Sequence, residues 1–340
     1  MKLPLCLVAA GLAFGTASTP AAAQIAYVSN ERGSTVSVID VASGTVTATF
    51  PVGQRPRAIL VSKDGKYLYI CASLDNTVEV RDRATGALVA SLPAGSDPEQ
   101  FFLSPDGATL FVSNEDDSAI TAIDIAGQKV AWQAAVGDEP EGIAQSPDGR
   151  WLLVASESDN AVSWIDVATR QTVHETETDA RPRHIEFTPD GSKVWIAAEM
   201  GQSVHVVDVA SREITQTITF APPGAMAYKV LPCGIRFTPD GKLAVVALGR
   251  ADSVALVDTA SLAVVDYIKT GGRPWHLAIT ADGARAVVAN GTSDDIAVVD
   301  LASRQVITRV AAGKGPWGVV LATLSSAGFH GRTKDEGGRV

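Results

Sequence analysis

The sequence predicts an all-β, seven-bladed β-propeller of four-stranded blades, and three markers held in one register carry that prediction. A proline recurs at Pro56, Pro98, Pro140, Pro182, Pro232, Pro274 and Pro316, spaced 42 residues apart except for one interval of 50. An Asp-Gly pair follows each of the first six by eight residues, from Asp64-Gly65 to Asp282-Gly283. A second aspartate closes a β-rich run in every unit, from Asp40 to Asp300. Repetition at 40–45 residues with four short strands per unit is the signature of propeller blades.

The unit beginning at Pro182 shows the elements in order. An apolar run, Ile185 to Thr188, leads into the turn Thr188-Pro189-Asp190-Gly191. Proline presets one turn residue and glycine supplies positive φ, so the turn closes a hairpin. Val194–Ala198, Val204–Asp208 and about Ile214–Phe220 follow as the other strands, each rich in β-branched residues. The seventh unit is divided. The N-terminus supplies second-strand sequence, Ile25 to Ser29, and the C-terminus a lone first strand, Pro316 to Leu321. Pairing them closes the ring and removes exposed sheet edges.

Outside the repeats, residues 1–23 have the pattern of an export signal: Lys2, an apolar stretch from Leu3 to Phe14, and the small-residue site Ala21-Ala22-Ala23. The stretch is too short for a stable membrane anchor. The expected organisation is therefore a signal peptide over 1–23, one propeller domain over 24–321 and a loose Ser/Gly-rich, charged tail over 322–340. A periplasmic location and a monomer are expected. The net charge of -10 comes without any Lys/Arg run, which argues against nucleic acid and against a polybasic membrane contact. Cys71 and Cys233 fall on well-separated blades, so no disulfide is expected between them.

Tyr27-Val28-Ser29-Asn30, Thr35-Val36-Ser37-Val38-Ile39-Asp40 and Ser104-Pro105-Asp106-Gly107 resemble the YVTN-type seven-bladed β-propeller family, and the likeness spans essentially the whole mature chain. Within that family the chain is most similar to the exported propellers associated with catabolism dependent on pyrroloquinoline quinone (PQQ). That resemblance implies service to a quinoprotein oxidation system, with a periplasmic quinoprotein dehydrogenase or a small-molecule ligand as partner. It names no cofactor for this chain, because the repeats lack the tryptophan-docking pattern of eight-bladed quinoprotein dehydrogenases.

Strand order assigns the faces. Loops joining strands one to two and three to four share one face, and there every repeat carries the same turn devices. The opposite face carries the proline linkers, where the copies differ, and differences among copies mark candidates for function. One residue after the proline stand Arg57, Glu99, Glu141, Arg183, Cys233, Trp275 and Trp317. One residue further on, histidine appears twice, as His184 and His276. Glu186 and Arg236 share a register on neighbouring blades and form a candidate ion pair. Glu31, Glu115, Glu157 and Glu199 follow second strands on the same face, where they extend an acidic rim or simply face solvent. The eight-residue excess falls around residues 221–230, a candidate lid over the channel mouth.

The expected ligand or partner site is the channel mouth, built from Arg57, Glu99, Glu141, Arg183, His184, Arg236, Trp275, His276 and Trp317. His184, Cys233 and His276 form a candidate metal set, since imidazole and thiolate suit copper, zinc or haem iron. The same histidines read equally as hydrogen-bonding groups in a channel wall. The sequence contains neither a Cys-x-x-Cys-His haem motif nor a Gly-x-Ser-x-Gly nucleophile elbow. The expected function is accordingly a non-catalytic exported binding or accessory propeller. Two alternatives stand beside it: a metal-dependent lactonase-like hydrolase using mouth carboxylates such as Glu99 and Glu141, and a haem- or copper-binding redox propeller.

Overall fold

The computed structural model describes residues 24–323. The leader over 1–23 and the tail from residue 324 lie outside the described residues. Seven four-stranded antiparallel sheets are arranged as blades, with the first strand innermost and the fourth outermost. Blade one combines Pro316–Thr323 with Gln24–Asn30, Thr35–Asp40 and Thr45–Pro51. Its closure pairs Ile25 with Ala322 and Val28 with Val319, so the chain ends meet inside one sheet. Blade five comprises Pro182–Phe187, Lys193–Ala198, Ser203–Asp208 and Ile214–Thr219. Among the described residues, no helix is long and apolar enough to cross a membrane.

The repeated aspartates hold the turns. Asp64 Oδ1 accepts hydrogen bonds from the Ser62 hydroxyl (2.6 Å) and the Lys66 amide (3.0 Å), while Gly65 takes φ +72°. Asp40 Oδ1 likewise accepts the Ser43 amide at 2.8 Å. These carboxylates satisfy backbone donors that a tight turn leaves without ladder partners.

The core lies between blades, where apolar side chains of adjacent sheets interlock. Trp195 of blade five meets Phe237 of blade six edge to face, with centroids 5.1 Å apart. Both thiols are free and buried: Cys71 packs with Val112 and Leu110 between blades two and three, and Cys233 with Val245 and Leu277 between blades six and seven.

One local irregularity positions the site. In every blade the pairing of strands one and two shifts at one or both residues after the linker proline, as between Pro140 and Ile143 or Pro56 and Ile59. A bulge of this kind breaks strict alternation and re-aims side chains. The two residues carrying the blade-to-blade differences sit on it. The residue before the proline is also unusual: Arg55, Asp97, Glu139, Arg181 and Arg273 all have φ between 47° and 62°. Such a backbone conformation is disfavoured for side-chain-bearing residues and is held by its surroundings. Here each carbonyl accepts the amide that follows its blade's second strand, for example Glu157 N–H to Glu139 O and Glu199 N–H to Arg181 O. The Arg181 amide in turn donates to Asn160 of the preceding blade (2.9 Å). These latches fix the charged linker residues against the glutamates.

Candidate functional site

The linker end of the channel is filled by an ion network. Arg57 is buried against Glu99 and reaches Glu31 at 3.1 Å. Arg55 adds contacts to Asp97 (2.7 Å) and Glu99 (3.4 Å). On the opposite arc, Arg183 touches Glu141, Glu157 and Glu199 at 2.5, 3.2 and 2.8 Å. Arg181 contacts Glu157 at 2.6 Å, and Arg273 contacts Glu199 at 2.7 Å. Trp275 lies under both Arg183 and Arg273, at 5.1 and 4.1 Å from the ring centroid. The structure thus brings Arg57, Glu99, Glu141, Arg183 and Trp275 together, as mutual partners with little free surface.

Protonation completes the balance. Five guanidiniums meet seven carboxyls, counting Glu115, which lies within hydrogen-bonding reach of Glu99. Burial pushes Glu99 well above the usual carboxylate range, only partly opposed by Arg57. Burial also pushes Glu157 up to about 10, helped by the neighbouring Glu141 carboxylate. For Glu141 burial acts in the same sense, but Arg183 and the hydrogen bond with Glu157 overcome it and hold the group low. The Glu141–Glu157 pair keeps one proton, on Glu157. Burial alone would lower the Arg183 pKa, yet its three glutamates raise it further above the ordinary value.

A pH dependence follows. Glu157 in the folded chain binds a proton that the unfolded chain releases above about 4.5, so stability falls as pH rises from there toward 10, by up to about 1.4 kcal/mol per pH unit. Glu157→Gln keeps the neutral shape and removes this loss. Thermal melts between about pH 6 and 9 are expected to show a shallower decline for the variant than for the parent chain.

Below the ion network, the second post-proline position closes the axis. Around the ring it reads Ala58, Gln100, Gly142, His184, Gly234, His276 and Gly318, large alternating with small. The glycines are demanded by close approach: a Cβ at Gly142 would lie 2.8 Å from the Arg183 carbonyl, and one at Gly318 2.7 Å from the Arg57 carbonyl. The space they leave admits their neighbours. Gln100 reaches past Gly142 to the Arg183 carbonyl (3.2 Å). His184 and His276 meet with centroids 5.3 Å apart, and His276 packs on Trp317 at 4.1 Å. Burial lowers both imidazole pKa values, that of His276 strongly.

Of the candidate metal set, the structure brings together the two histidines and leaves Cys233 apart. The Cys233 thiol faces the core between blades six and seven, donates to Leu231 O at 3.3 Å, and has its pKa raised by burial. His184 Nε2 is already engaged by Ile235 O (3.2 Å) and Arg236 (2.8 Å). A guanidinium at that nitrogen is a poor neighbour for a metal cation. A different group has the spacing of metal ligands: one oxygen each of Asp97, Glu99 and Glu115 lie within 4.8 Å of one another. Arg55 and Arg57 occupy the same carboxylates, so a cation there competes with both.

The open space lies on the other side of this plug. A cavity of about 460 Å³ runs along the first strands of blades two to six and opens toward the turn face. Leu60, Phe102, Ala144 and Ile185 give it apolar walls. Glu186 and Arg236 stand in it as a half-exposed pair, 2.8 Å apart. Arg236 therefore belongs to the cavity and links it to His184, while the other predicted mouth residues belong to the plug or the network. Leu60 and Phe102 escaped sequence reasoning, although they share the register of Glu186 and Arg236. The 221–230 segment does not lie across the axis. Its contacts are with the outer part of blade six, including a hydrogen bond from the Ala221 amide to the Tyr267 hydroxyl (2.7 Å).

A propeller closed by its own termini, with a plugged axis and a single-ended axial cavity, is the class that fold and site define. Residues 15–129, 45–180 and 167–312 match the family model described as Lactonase, 7-bladed beta-propeller, and the chain belongs to that family. Among solved structures it is similar to Kuenenia stuttgartiensis hydrazine synthase, with 22% identity, TM-score 0.74, and coverage of 86% of this chain and 99% of that one. A Bacteroides uniformis protein assigned provisionally as a 6-phosphogluconolactonase matches at 19% identity and TM-score 0.73, covering 88% and 99% of the two chains. The dihydro-heme d1 dehydrogenase NirN matches at 18% identity and TM-score 0.66, covering 87% of this chain and 74% of that one. At such identities these likenesses concern the fold alone. A comparison with curated protein sequences finds no match.

Proposed function

We propose that this chain is an exported binding propeller that takes a small amphipathic organic molecule into its axial cavity and serves a PQQ-dependent oxidation system. The cavity carries the reading. Its 460 Å³ falls in the range of small-molecule sites, and apolar walls with a few convergent polar groups are how such sites bind and orient a ligand. The Glu186–Arg236 pair supplies that polar end. The quinoprotein association rests on the length of the chain, its leader pattern and its blade layout. Glu99 and Glu141, the carboxyls a hydrolase would need free, are buried and committed to Arg57 and Arg183.

The test is a thermal-shift panel of small alcohols, aldehydes, carboxylates and lactones, run with Leu60→Trp and Arg236→Gln beside the parent chain. A ligand that stabilises the parent is expected to lose its effect in both variants, the first by occupying the cavity and the second by removing its cation. Deletion of the gene is expected to impair growth that depends on a quinoprotein dehydrogenase. Unchanged growth, with no shift from any compound, would overturn the proposal.

One observation favours a second reading, a metal-dependent lactonase-like hydrolase: the grouped oxygens of Asp97, Glu99 and Glu115, in a family named for lactonase activity. Three oxygens suit a hard divalent cation. Lactone hydrolysis that requires added metal and disappears in Glu115→Gln would replace the binding proposal with this one.

A further inference from the structure

The eight-residue excess of blade five builds a feature that the repeats lack. After Phe220 the chain bends at Gly224 (φ +77°), makes one 3-10 turn over Ala227–Lys229 and returns to Pro232. Phe220, Val230 and Leu231 are buried, and Ala225 packs on the core between blades five and six, so the segment forms a fixed wall. Between this wall and the linker-side ends of blades six and seven lies a groove of about 430 Å³.

Its charge is opposite to that of the molecule. Lys229, Arg250, Lys269 and Arg309 line the groove against one carboxylate, Asp252, in a chain of net charge -10. Arg309 is paired with Asp295, and the Asp252 carboxylate accepts the Arg273 amide at 3.0 Å. Among the described residues, Lys229, Arg250 and Lys269 have no acidic partner within 4.0 Å. Two large apolar side chains are exposed on the same segment: Met226, which lines the groove, is 58% exposed, and Tyr228, next to Lys229 in the 3-10 turn, is 63% exposed. Exposed apolar groups on a rigid segment, beside unpaired cations, have the composition of a recognition surface.

We propose that this groove docks an acidic segment of a partner protein, with Met226 and Tyr228 as its apolar anchors. Carboxylates of the partner relieve the mutual repulsion of Lys229, Arg250 and Lys269. The rest of the acidic surface repels such a partner, so the groove also orients the encounter. A small polycarboxylate would use the three cations but leave Met226 and Tyr228 idle, and this separates the two occupants. The proposal does not depend on the axial cavity.

The probes are two fluorescent decapeptides of equal charge, one alternating Glu with Leu and Phe, the other alternating Glu with Ser, read by anisotropy on the full chain. The Glu/Leu/Phe peptide is expected to bind more tightly, and to weaken about tenfold when salt rises from about 50 to 300 mM. Lys229→Gln with Arg250→Gln and Lys269→Gln is expected to cost at least about tenfold, and Met226→Ser with Tyr228→Ser several-fold. Met226, Tyr228, Arg250 and Lys269 are exposed and Lys229 is half-buried, so unchanged melting temperatures confirm that the variants fold. Absence of binding overturns the proposal. Equal binding of the two peptides, indifference to the Met226 and Tyr228 changes, or displacement of either peptide by an equal concentration of citrate does so as well.

Discussion

A chain ending at Gly315 is expected not to fold. The lost strand, Pro316–Thr323, is the innermost strand of blade one, and it supplies the sheet pairing between the C-terminal segment and the N-terminal Gln24–Asn30. Without it, the Gln24–Asn30 edge faces the channel with unpaired backbone groups, the condition that invites edge-to-edge association. Trp317 and Val319 leave buried positions, each worth about 1.5–3 kcal/mol of lost burial. The Gly318 amide and the Ser29 hydroxyl lose their 2.9 Å bond, a tie between residues 289 apart in sequence. Each blade is supported only by its neighbours, so an opened ring exposes the flanks of blades two and seven together. The combined loss approaches the about 5–15 kcal/mol by which whole domains are stable. Circular dichroism and size exclusion provide the measurement. Ending the chain after Thr323 retains every closing pair and serves as the reference; a cooperative, monomeric melt from the chain ending at Gly315 would refute this account of closure.

Closure was legible because it depends on local pattern alone. The 42-residue register, the Asp-Gly turns and the divided seventh unit each follow from turn chemistry and alternation, which act over a few residues and repeat seven times. The linker ring was legible in composition but not in consequence. Arg57 and Glu99 stand 42 residues apart, as do Glu141 and Arg183, so opposite charges one period apart become neighbours across a blade seam. That arithmetic is visible in the sequence. What is not visible is the bulge after each proline, which turns those residues toward one another and fills the end of the channel.

Cys233 fails to join His184 and His276 for a related reason. It occupies the first post-proline position, which in other blades carries the long side chains of the ion network, and its short thiol stays against Val245 and Leu277 in the core. The large–small alternation at Gln100, Gly142, His184, Gly234 and His276 was also open to reading. It needed the recognition that small residues in one blade make room for large ones from the next, as in tapered β-barrels. The outward lean of residues 221–230, by contrast, is set by Tyr267 and the blade-six core, long-range contacts that the segment's own composition does not disclose.

Arg183→Met is expected to cost about 3–5 kcal/mol, the usual penalty for removing one partner of a buried ionic group. The guanidinium serves three glutamates at once, and without it Glu141 loses the charge that most strongly holds it ionised. Those carboxyls must then take up protons, and the variant is expected to regain stability as pH falls toward the ordinary carboxyl range, opposite to the effect of acid on most proteins. Arg183→Lys restores the charge but not the planar fork that spans Glu141, Glu157 and Glu199, so it rescues only part of the loss. Adding Glu141→Gln to Arg183→Met removes the unpaired carboxylate and is expected to recover more than Arg183→Lys does. Urea denaturation of the four chains, each at neutral and mildly acidic pH, decides the matter. If Arg183→Met melts with the parent at both pH values, the network contributes nothing to holding the blades, and Arg183 is held in reserve for a ligand. If the double variant recovers while the axial cavity keeps its ligand response, the linker end is the structural end of this propeller and the turn end its binding end.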